Sequence, residues 1–171
     1  MVVASGVYVL DATVLIDICH GGIARETVSL LEQAIAPDLV CAEVEDSCIA
    51  DLLVLGLAQR EYSPEEIVAL QLEVTRLPGL THKDVSALLL AVDENAVLLT
   101  GDGRLKQLAL EKGLIVHGIL WVLDTLVGSG ILDRLSAAEA LERILANGSW
   151  LPVADCAKRM SKWREQPVQK G

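Results

Sequence analysis

The sequence predicts an α/β fold in which a short parallel sheet of four to five strands lies between two layers of helices. Apolar runs of strand length alternate along the 171 residues with helical patterns, as βαβ units require. Hydrophobic residues make up 52% of the chain, whereas aromatic residues make up 3% and Phe is absent. The core must therefore be aliphatic, which is typical of buried parallel strands and the helices that cover them.

The first half of the chain predicts two strands and two helices. The segment 7–10 is apolar at every position and ends at Asp11, as a strand buried on both faces would. A helix is expected over 24–35, and a short second strand over 39–41. A long apolar-rich helix is then expected from about 42 to 59.

The second half has clearer start signals. Ser63-Pro64-Glu65-Glu66 begins a helix with an N-cap Ser, Pro at the first helical position and Glu at the third. Thr81-His82-Lys83-Asp84 caps another helix, which is expected to reach about Glu94. After these, strands are expected over 96–99 and 114–116, and helices over 104–112, 119–127 and 137–146.

Composition argues against a membrane or secreted protein. Asp, Glu or Gly interrupts every long apolar run, so none can cross a bilayer. The apolar N-terminus lacks a preceding positive charge, and it is interpreted as a strand rather than a signal peptide. We therefore predict a cytoplasmic protein whose cysteines, at positions 19, 41, 48 and 156, are reduced and buried. No CxxC pair is present, which argues against a structural zinc site.

Charge is distributed unevenly along the chain. The net charge is −10, which disfavours broad, nonspecific binding to a phosphate backbone. Residues 1–150 are predicted to form the domain, and residues 151–171 a basic tail. Five Lys and Arg against two Asp and Glu give this tail a charge of 5 − 2 = +3, so the remainder carries −13. The tail is expected to be a solvated end, or else to contact phosphates or an acidic surface.

Two acidic residues lie where a parallel sheet binds ligands, beyond the carboxyl ends of its strands. Asp11 directly follows the first strand, and Asp102 follows the strand over 96–99. A buried Asp11 would need a partner, and a metal ion could supply one. Asp102 could instead be a simple N-cap, and Asp84 fits a capping box as well as it fits a functional site.

These residues carry a resemblance. The segments YVLDATVLIDI, THKDVSALLLA and VLLTGDGRLKQLALEKGL resemble the three acidic motifs of the PIN-domain family, which includes VapC-type toxins. Asp11-Ala12-Thr13 is similar to the first motif, Asp84 with Ser86-Ala87 to the second, and Thr100-Gly101-Asp102 to the Thr-x-Asp loop of the third. The resemblance covers roughly residues 7 to 130 and implies a PIN-like fold and hydrolysis of RNA.

The resemblance also implies a set of metal ligands. Asp11 and Asp102 would be primary ligands of Mg²⁺ or Mn²⁺, hard cations that prefer oxygen. Asp84 and a fourth acid would bind a second ion or position water. Thr13 and Thr100 could hydrogen-bond the carboxylates or a phosphate oxygen.

The fourth acid is where this sequence departs from the family pattern. The family has an acid, usually Glu, early in the helix after the second strand, but the best-aligned position here falls on or beside Ser47. Asp46 is the first candidate for this role and Glu43 the second. Asp17, six residues after Asp11, is interpreted as a structural residue on the turn after the first strand.

The leading hypothesis is a metal-dependent endoribonuclease, which the resemblance further suggests is the toxin of a toxin–antitoxin pair. An inactive PIN-like binding or scaffold module is the alternative, and a phosphatase of another doubly wound family is a third. Mean hydropathy is +0.44, and we expect some apolar surface to meet a second copy in a homodimer or a partner such as an antitoxin. The three tryptophans are expected to bury surface or meet a partner rather than stack on bases, although Trp163, between Lys162 and Arg164, could stack.

Overall fold

The described residues, 6–165 of the computed structural model, form a five-stranded parallel sheet. The order of the strands across the sheet is β3-β2-β1-β4-β5. The strands are β1 (Val7–Leu10), β2 (Gln33–Pro37), β3 (Ala58–Arg60), β4 (Val97–Leu99) and β5 (Val116–His117). The predicted α/β class with a parallel sheet of four to five strands is confirmed.

Helices connect and cover the strands. They are α1 (Ala12–Gly21), α2 (Ala24–Leu30), α3 (Asp38–Cys41), α4 (Asp46–Leu55), α5 (Pro64–Arg76), α6 (His82–Asp93), α7 (Gly103–Glu111), α8 (Ile119–Gly128), α9 (Arg134–Ala146) and α10 (Val153–Arg164). Helix α6 packs across β1, β2 and β4, while α1 packs with α2, α8 and α9. Between residues 6 and 165, no helix combines the length and the apolar character that crossing a membrane requires.

The strand order reverses next to β1. From β1 the chain builds outward through β2 and β3, and it then returns to place β4 and β5 on the other side. Leu10 of β1 is in register with Leu99 of β4, and the Asp11 amide donates to the Leu99 carbonyl oxygen at 3.0 Å. The carboxyl ends of β1 and β4 therefore lie side by side at the switch point, where sheets of this kind bind ligands.

The predicted elements are wrong over residues 24–41. Helix α2 ends at Leu30, β2 occupies Gln33–Pro37, and the expected strand over 39–41 is instead part of α3. Ala34 and Ala36 favour helix by intrinsic propensity, but here both are buried in a strand that pairs with β1. Tertiary pairing has overridden local preference in this segment.

Two more expectations are wrong in this half of the chain. The long helix expected over 42–59 is the shorter α4, which ends at Leu55, is capped by Gly56 (φ 123°) and is followed by β3. Asp17 does not lie on a turn, because the chain enters α1 directly after Asp11. The predictions after residue 60 agree better: Ser63 and Thr81 both form complete capping boxes, with Glu66 and Asp84 respectively.

The basic segment after residue 150 contains a packed helix. Helix α10 lies against α9, and its Trp163 side chain is only 4% exposed. Arg159 binds both carboxylate oxygens of Asp124 on α8, and Arg164 pairs with Glu142 on α9. Two of the basic side chains thus dock on acidic groups of the same chain, while Lys170 lies outside the described residues.

The expectation that all four cysteines are reduced is wrong for two of them. Cys19 near the end of α1 and Cys48 in the first turn of α4 form a disulfide, with their Cα atoms 6.0 Å apart. They are 29 residues apart in sequence and become neighbours only through the packing of the helices. Cys41 and Cys156 are free and buried, as expected.

The disulfide predicts a thiol count. Protein that is denatured without reductant should react with a thiol reagent at Cys41 and Cys156 alone, and all four cysteines should react after reduction. Reduction should also lower the melting temperature, because the bond restricts the unfolded chain. The double variant Cys19→Ser/Cys48→Ser should show this lower temperature with or without reductant. Four reactive thiols in freshly purified, unreduced wild-type protein would contradict the bond.

Candidate active site at the carboxyl edge of the sheet

Asp11 is the centre of the candidate site. It stands between β1 and α1, and its side chain is 2% exposed. Although Asp11 occupies the N-cap position of α1, its carboxylate makes no capping hydrogen bond. Its Oδ2 atom instead accepts from the hydroxyls of Thr100, at 2.8 Å, and Thr13, at 3.0 Å. The carboxylate is thus held by threonines from both sides of the switch point.

The same two hydroxyls fix the loop that follows β4. Thr100 Oγ1 accepts from the Asp102 amide at 3.0 Å, and Thr13 Oγ1 accepts from the Gly101 amide at 2.8 Å. Each threonine therefore donates to Asp11 and accepts from the loop over residues 100–102. These contacts agree with the expectation that Thr13 and Thr100 hydrogen-bond a carboxylate. The two hydroxyls hold the Asp11 carboxylate and the backbone amides of the loop in one arrangement.

Asp102 is both an N-cap and a candidate ligand. Its Oδ1 atom accepts from the Leu105 amide at 2.7 Å, so it caps α7. Within the part of the chain that the structure describes, its Oδ2 atom has no hydrogen bond. Capping therefore occupies one carboxylate oxygen and leaves the second for another partner.

Asp84, like Asp102, uses one carboxylate oxygen to cap a helix. In the capping box of α6, its Oδ2 atom accepts from the Thr81 amide at 2.7 Å and from the Thr81 hydroxyl at 2.8 Å. Its Oδ1 atom has no hydrogen bond to any residue from 6 to 165. Helix α6 covers β1 and β4, and its first turn brings the charge of Asp84 close enough to act on Asp11.

Electrostatics single out Asp11 among these acids. Burial raises the pKa of the Asp11 carboxyl above its ordinary value of 3.8, and repulsion from Asp84 raises this pKa further. Hydrogen bonds from Thr100, from the Ala12 backbone and from Thr13 lower the pKa and offset part of the rise. A nearby cation would therefore stabilise the ionised form of Asp11.

The sequence matches the PIN-domain family over residues 7–165, which is nearly the whole chain. The chain belongs to the PIN-domain family. Proteins of this family are generally nucleases. Among solved structures, the chain is similar to a PilT N-terminus domain protein from the hyperthermophilic archaeon Sulfolobus solfataricus P2, with 18% identity and a TM-score of 0.53. That similarity covers 71% of this chain and 93% of the archaeal one, and it supports the fold. No curated protein matches the chain.

The donor set of this PIN domain suits a hard divalent cation. Asp11, Asp84 and Asp102 offer carboxylate oxygens, the ligand type that Mg²⁺ and Mn²⁺ prefer. Over residues 6–165, however, no three His, Cys, Asp or Glu side chains are gathered closely enough to hold an ion together. The three carboxylates therefore suit the metal in their chemistry and lie at a common edge of the sheet, but in this arrangement they do not form a complete ion site.

The two candidates for the fourth acid differ in their surroundings. Glu43 follows α3 and binds the Lys83 ammonium at 2.5 Å, and Lys83 is the neighbour of Asp84 in the first turn of α6. Asp46 is exposed at the first position of α4. Ser47, where the family pattern would place an acid, donates to Glu45 at 3.2 Å. Glu43, the second candidate from sequence, thus contacts the first turn of α6 through Lys83.

Asp17 is the acidic residue whose environment the sequence interpretation missed. It is 6% exposed on α1 and accepts a hydrogen bond from Ser149 at 3.1 Å. Burial raises the pKa of its carboxyl. The signal was helical spacing: Val14, Asp17, Ile18 and Gly21 are all buried on one face of α1. This signal could be used only if the helix was known to begin directly at Ala12.

Proposed function

We propose that this PIN domain is a divalent-metal-dependent endoribonuclease that hydrolyses phosphodiester bonds of RNA. The observation that carries the proposal is the environment of Asp11. A buried carboxylate, with its pKa raised by burial and by Asp84, is held by two threonine hydroxyls at the switch point of a PIN fold. A carboxylate with a purely structural role would be expected to cap its helix or to form a salt bridge with a basic side chain. Among the described residues, Asp11 does neither.

The acidic residues and the threonines of the site have different proposed roles. Asp11, Asp84 and Asp102 would hold the Mg²⁺ or Mn²⁺ ions through their carboxylate oxygens. A bound ion would lower the pKa of a coordinated water, and it would place positive charge beside the scissile phosphate. Thr100 and Thr13 keep the Asp11 carboxylate oriented, and they hold the 100–102 loop against it. The capping bonds of Asp84 and Asp102 fix the direction of each side chain through one oxygen.

RNA cleavage tests the proposal directly. Purified protein should cut a diverse pool of single-stranded RNA when Mn²⁺ or Mg²⁺ is added, and it should not do so in excess chelator. The Asp93→Asn variant, which removes an exposed carboxylate at the opposite end of α6 from Asp84, should cut normally. Metal-replete, folded protein that cleaves no RNA in the pool would contradict the proposal.

The fourth acid can be assigned by a matched pair of variants. We expect Glu43→Gln to lower the cleavage rate by about tenfold, within the range for groups that support metal ligands. Asp46→Asn should change the rate less than about threefold by the same argument, since no contact ties its exposed side chain to the first turn of α6. Each variant removes one negative charge, so the net charge is matched. The reverse order of effects would return the role to Asp46.

A second function, an inactive PIN-like binding or scaffold module, is favoured by specific observations. Asp84 and Asp102 each serve as helix caps, and Ser47 occupies or adjoins the position where the family has an acid. Within residues 6–165, no three His, Cys, Asp or Glu side chains are close enough to hold an ion together. Isothermal titration with Mn²⁺ separates the two functions. Heat of binding that disappears in Asp11→Asn supports the nuclease. No heat at micromolar to millimolar Mn²⁺ supports the module.

Partners and cellular role are narrower proposals. The resemblance to VapC-type toxins motivates a toxin that is held inactive by an antitoxin. Val68 and Leu72 lie one turn apart on α5 and are 57% and 61% exposed, which supports an apolar face for a second copy or a partner. A dimeric mass by light scattering, lost in Val68→Lys/Leu72→Lys, would place the homodimer interface there. A monomeric wild type at tens of micromolar would contradict the dimer.

A further inference from the structure

A small pocket adjoins the candidate active site. Its volume is about 290 Å³, and its walls come from three places: Thr13 and Gly101 at the site itself, Asp17 and His20 on α1, and the loop between α9 and α10. Thr13 and Gly101 are hydrogen-bonded to each other, and Thr13 also donates to Asp11. The pocket therefore begins at the side chain that orients the central carboxylate.

Trp150 lines this pocket and is 99% exposed. The other two tryptophans are in different environments. Trp163 is 4% exposed in the core, and Trp121 stacks on His117 with ring centroids 4.3 Å apart. Trp150 is thus a large aromatic side chain that contributes almost nothing to burial in the chain itself. An aromatic face beside a nucleic-acid site is a stacking platform for a base.

The two residues before Trp150 are tied to neighbouring helices. The Ser149 hydroxyl donates to the buried Asp17 carboxylate at 3.1 Å, and the Ser149 amide donates to the Ile144 carbonyl oxygen at 3.4 Å. Gly148 has a φ of 89°, and its amide donates to the Leu145 carbonyl oxygen at 3.1 Å. The backbone that leads into Trp150 is therefore anchored, and the indole lines the pocket.

Size and chemistry restrict what can enter. Ligand pockets in proteins start at about 300 Å³, so this one is at the small end and admits one planar ring system rather than a base pair. Asp17 and His20 offer polar groups on the α1 wall, and Trp150 offers an apolar face. A planar group with hydrogen-bonding edges and a stacking surface fits this combination, and an unpaired nucleobase is such a group.

We propose that this pocket binds one unpaired nucleobase of a single-stranded RNA, with Trp150 stacking on the base while the adjoining phosphate lies at the Asp11 site. The proposal rests on the proposed ribonuclease function and names the substrate of the same site. Trp150 does not bury surface within the chain, contrary to that part of the expectation from sequence, and the proposal assigns it a base in place of a protein partner. It also implies that paired RNA is excluded, because its bases are already stacked and unavailable.

Binding in the absence of turnover is the test. The Asp11→Asn protein, without metal, is titrated with a randomised ten-nucleotide single-stranded RNA while tryptophan emission and RNA anisotropy are measured. Saturable quenching is expected, because Trp150 is the fully exposed indole. Trp150→Leu, which keeps an apolar side chain but removes the aromatic face, should abolish the quenching and weaken binding about 5- to 100-fold. Trp150→Phe should restore most of the affinity, and a ten-base-pair duplex should quench little.

The outcomes separate this proposal from the proposed function. Quenching that depends on Trp150, in a protein whose metal-loaded wild type cuts no RNA, supports the base pocket and rejects the nuclease. Cleavage by wild type with unchanged KM and kcat in Trp150→Leu rejects the pocket and keeps the nuclease. If RNA causes no quenching while Trp150→Leu converts a dimer to a monomer, Trp150 is a protein contact and the proposal is overturned.

Discussion

Replacing Asp11 with Asn is expected to abolish metal-dependent RNA cleavage and, at the same time, to raise the melting temperature of the metal-free protein. The rate should fall by more than about 100-fold, since even residues that only support metal ligands are worth about 10- to 100-fold. The gain in stability has a separate cause. Asp11 is a buried carboxylate whose pKa is raised by desolvation, so its ionised form is destabilising at neutral pH.

The pH dependence gives the sign of this stability effect. Because the pKa of Asp11 is higher in the folded chain than its ordinary 3.8, the folded state holds the proton more tightly than the unfolded state. The stability that comes from this proton is fully present below the ordinary pKa and is lost as pH rises through the raised value. Wild type should therefore lose more stability than Asp11→Asn between about pH 4 and pH 7. Asp17 has a pKa raised in the same direction, but it is present in both proteins and cancels.

Thermal unfolding in excess chelator, at several pH values, measures the difference. Because the pKa of Asp11 is raised, the melting temperature of Asp11→Asn should exceed that of wild type at pH 7, and the difference should shrink toward pH 4. Added Mn²⁺ should stabilise wild type and leave Asp11→Asn unchanged. A variant that keeps its activity, or that is less stable than metal-free wild type at pH 7, would remove Asp11 from the centre of the site.

The same physical terms explain what the sequence could and could not predict. Asp11 and Asp102 were found because they follow strands whose apolar runs are continuous, and parallel strands end at a common edge. The capping roles of Ser63 and Thr81 were found because a capping box is local. The capping boxes are set within a few residues of the chain, and each of the two acids is marked by the apolar strand that directly precedes it.

The errors concern interactions between distant segments. Ala34 and Ala36 have no intrinsic preference for strand, and only their pairing with β1 places them in β2. The Cys19–Cys48 bond and the Glu43–Lys83 pair join residues from different elements, and neither has a local signal. The exposure of Trp150 likewise depends on how the α9–α10 loop is anchored to α1. Such features require the folded chain.

Replacing Thr100 with Val should impair both stability and activity, although Val has nearly the same shape. The Thr100 side chain is buried, and its hydroxyl donates to Asp11 Oδ2 at 2.8 Å and accepts from the Asp102 amide at 3.0 Å. Without the hydroxyl, the Asp102 amide loses its acceptor, which costs about 1–3 kcal/mol for a buried group. The Asp11 carboxylate also loses its strongest stabilising donor, so its pKa should rise further.

The activity of Thr100→Val should fall about 10- to 100-fold, the usual effect of removing a group that orients a metal ligand. Thr100→Ser is the matched control, because it retains the hydroxyl and should cut RNA at close to the wild-type rate. The Val variant should lose more stability at pH 7 than at pH 4, since an ionised Asp11 needs the donated hydrogen bond more than a protonated one does. Equal activity and equal melting temperature in the Val and Ser variants would show that the hydroxyl does not orient Asp11, and the rigid arrangement of Asp11 with the 100–102 loop would then have to be maintained by Thr13 alone.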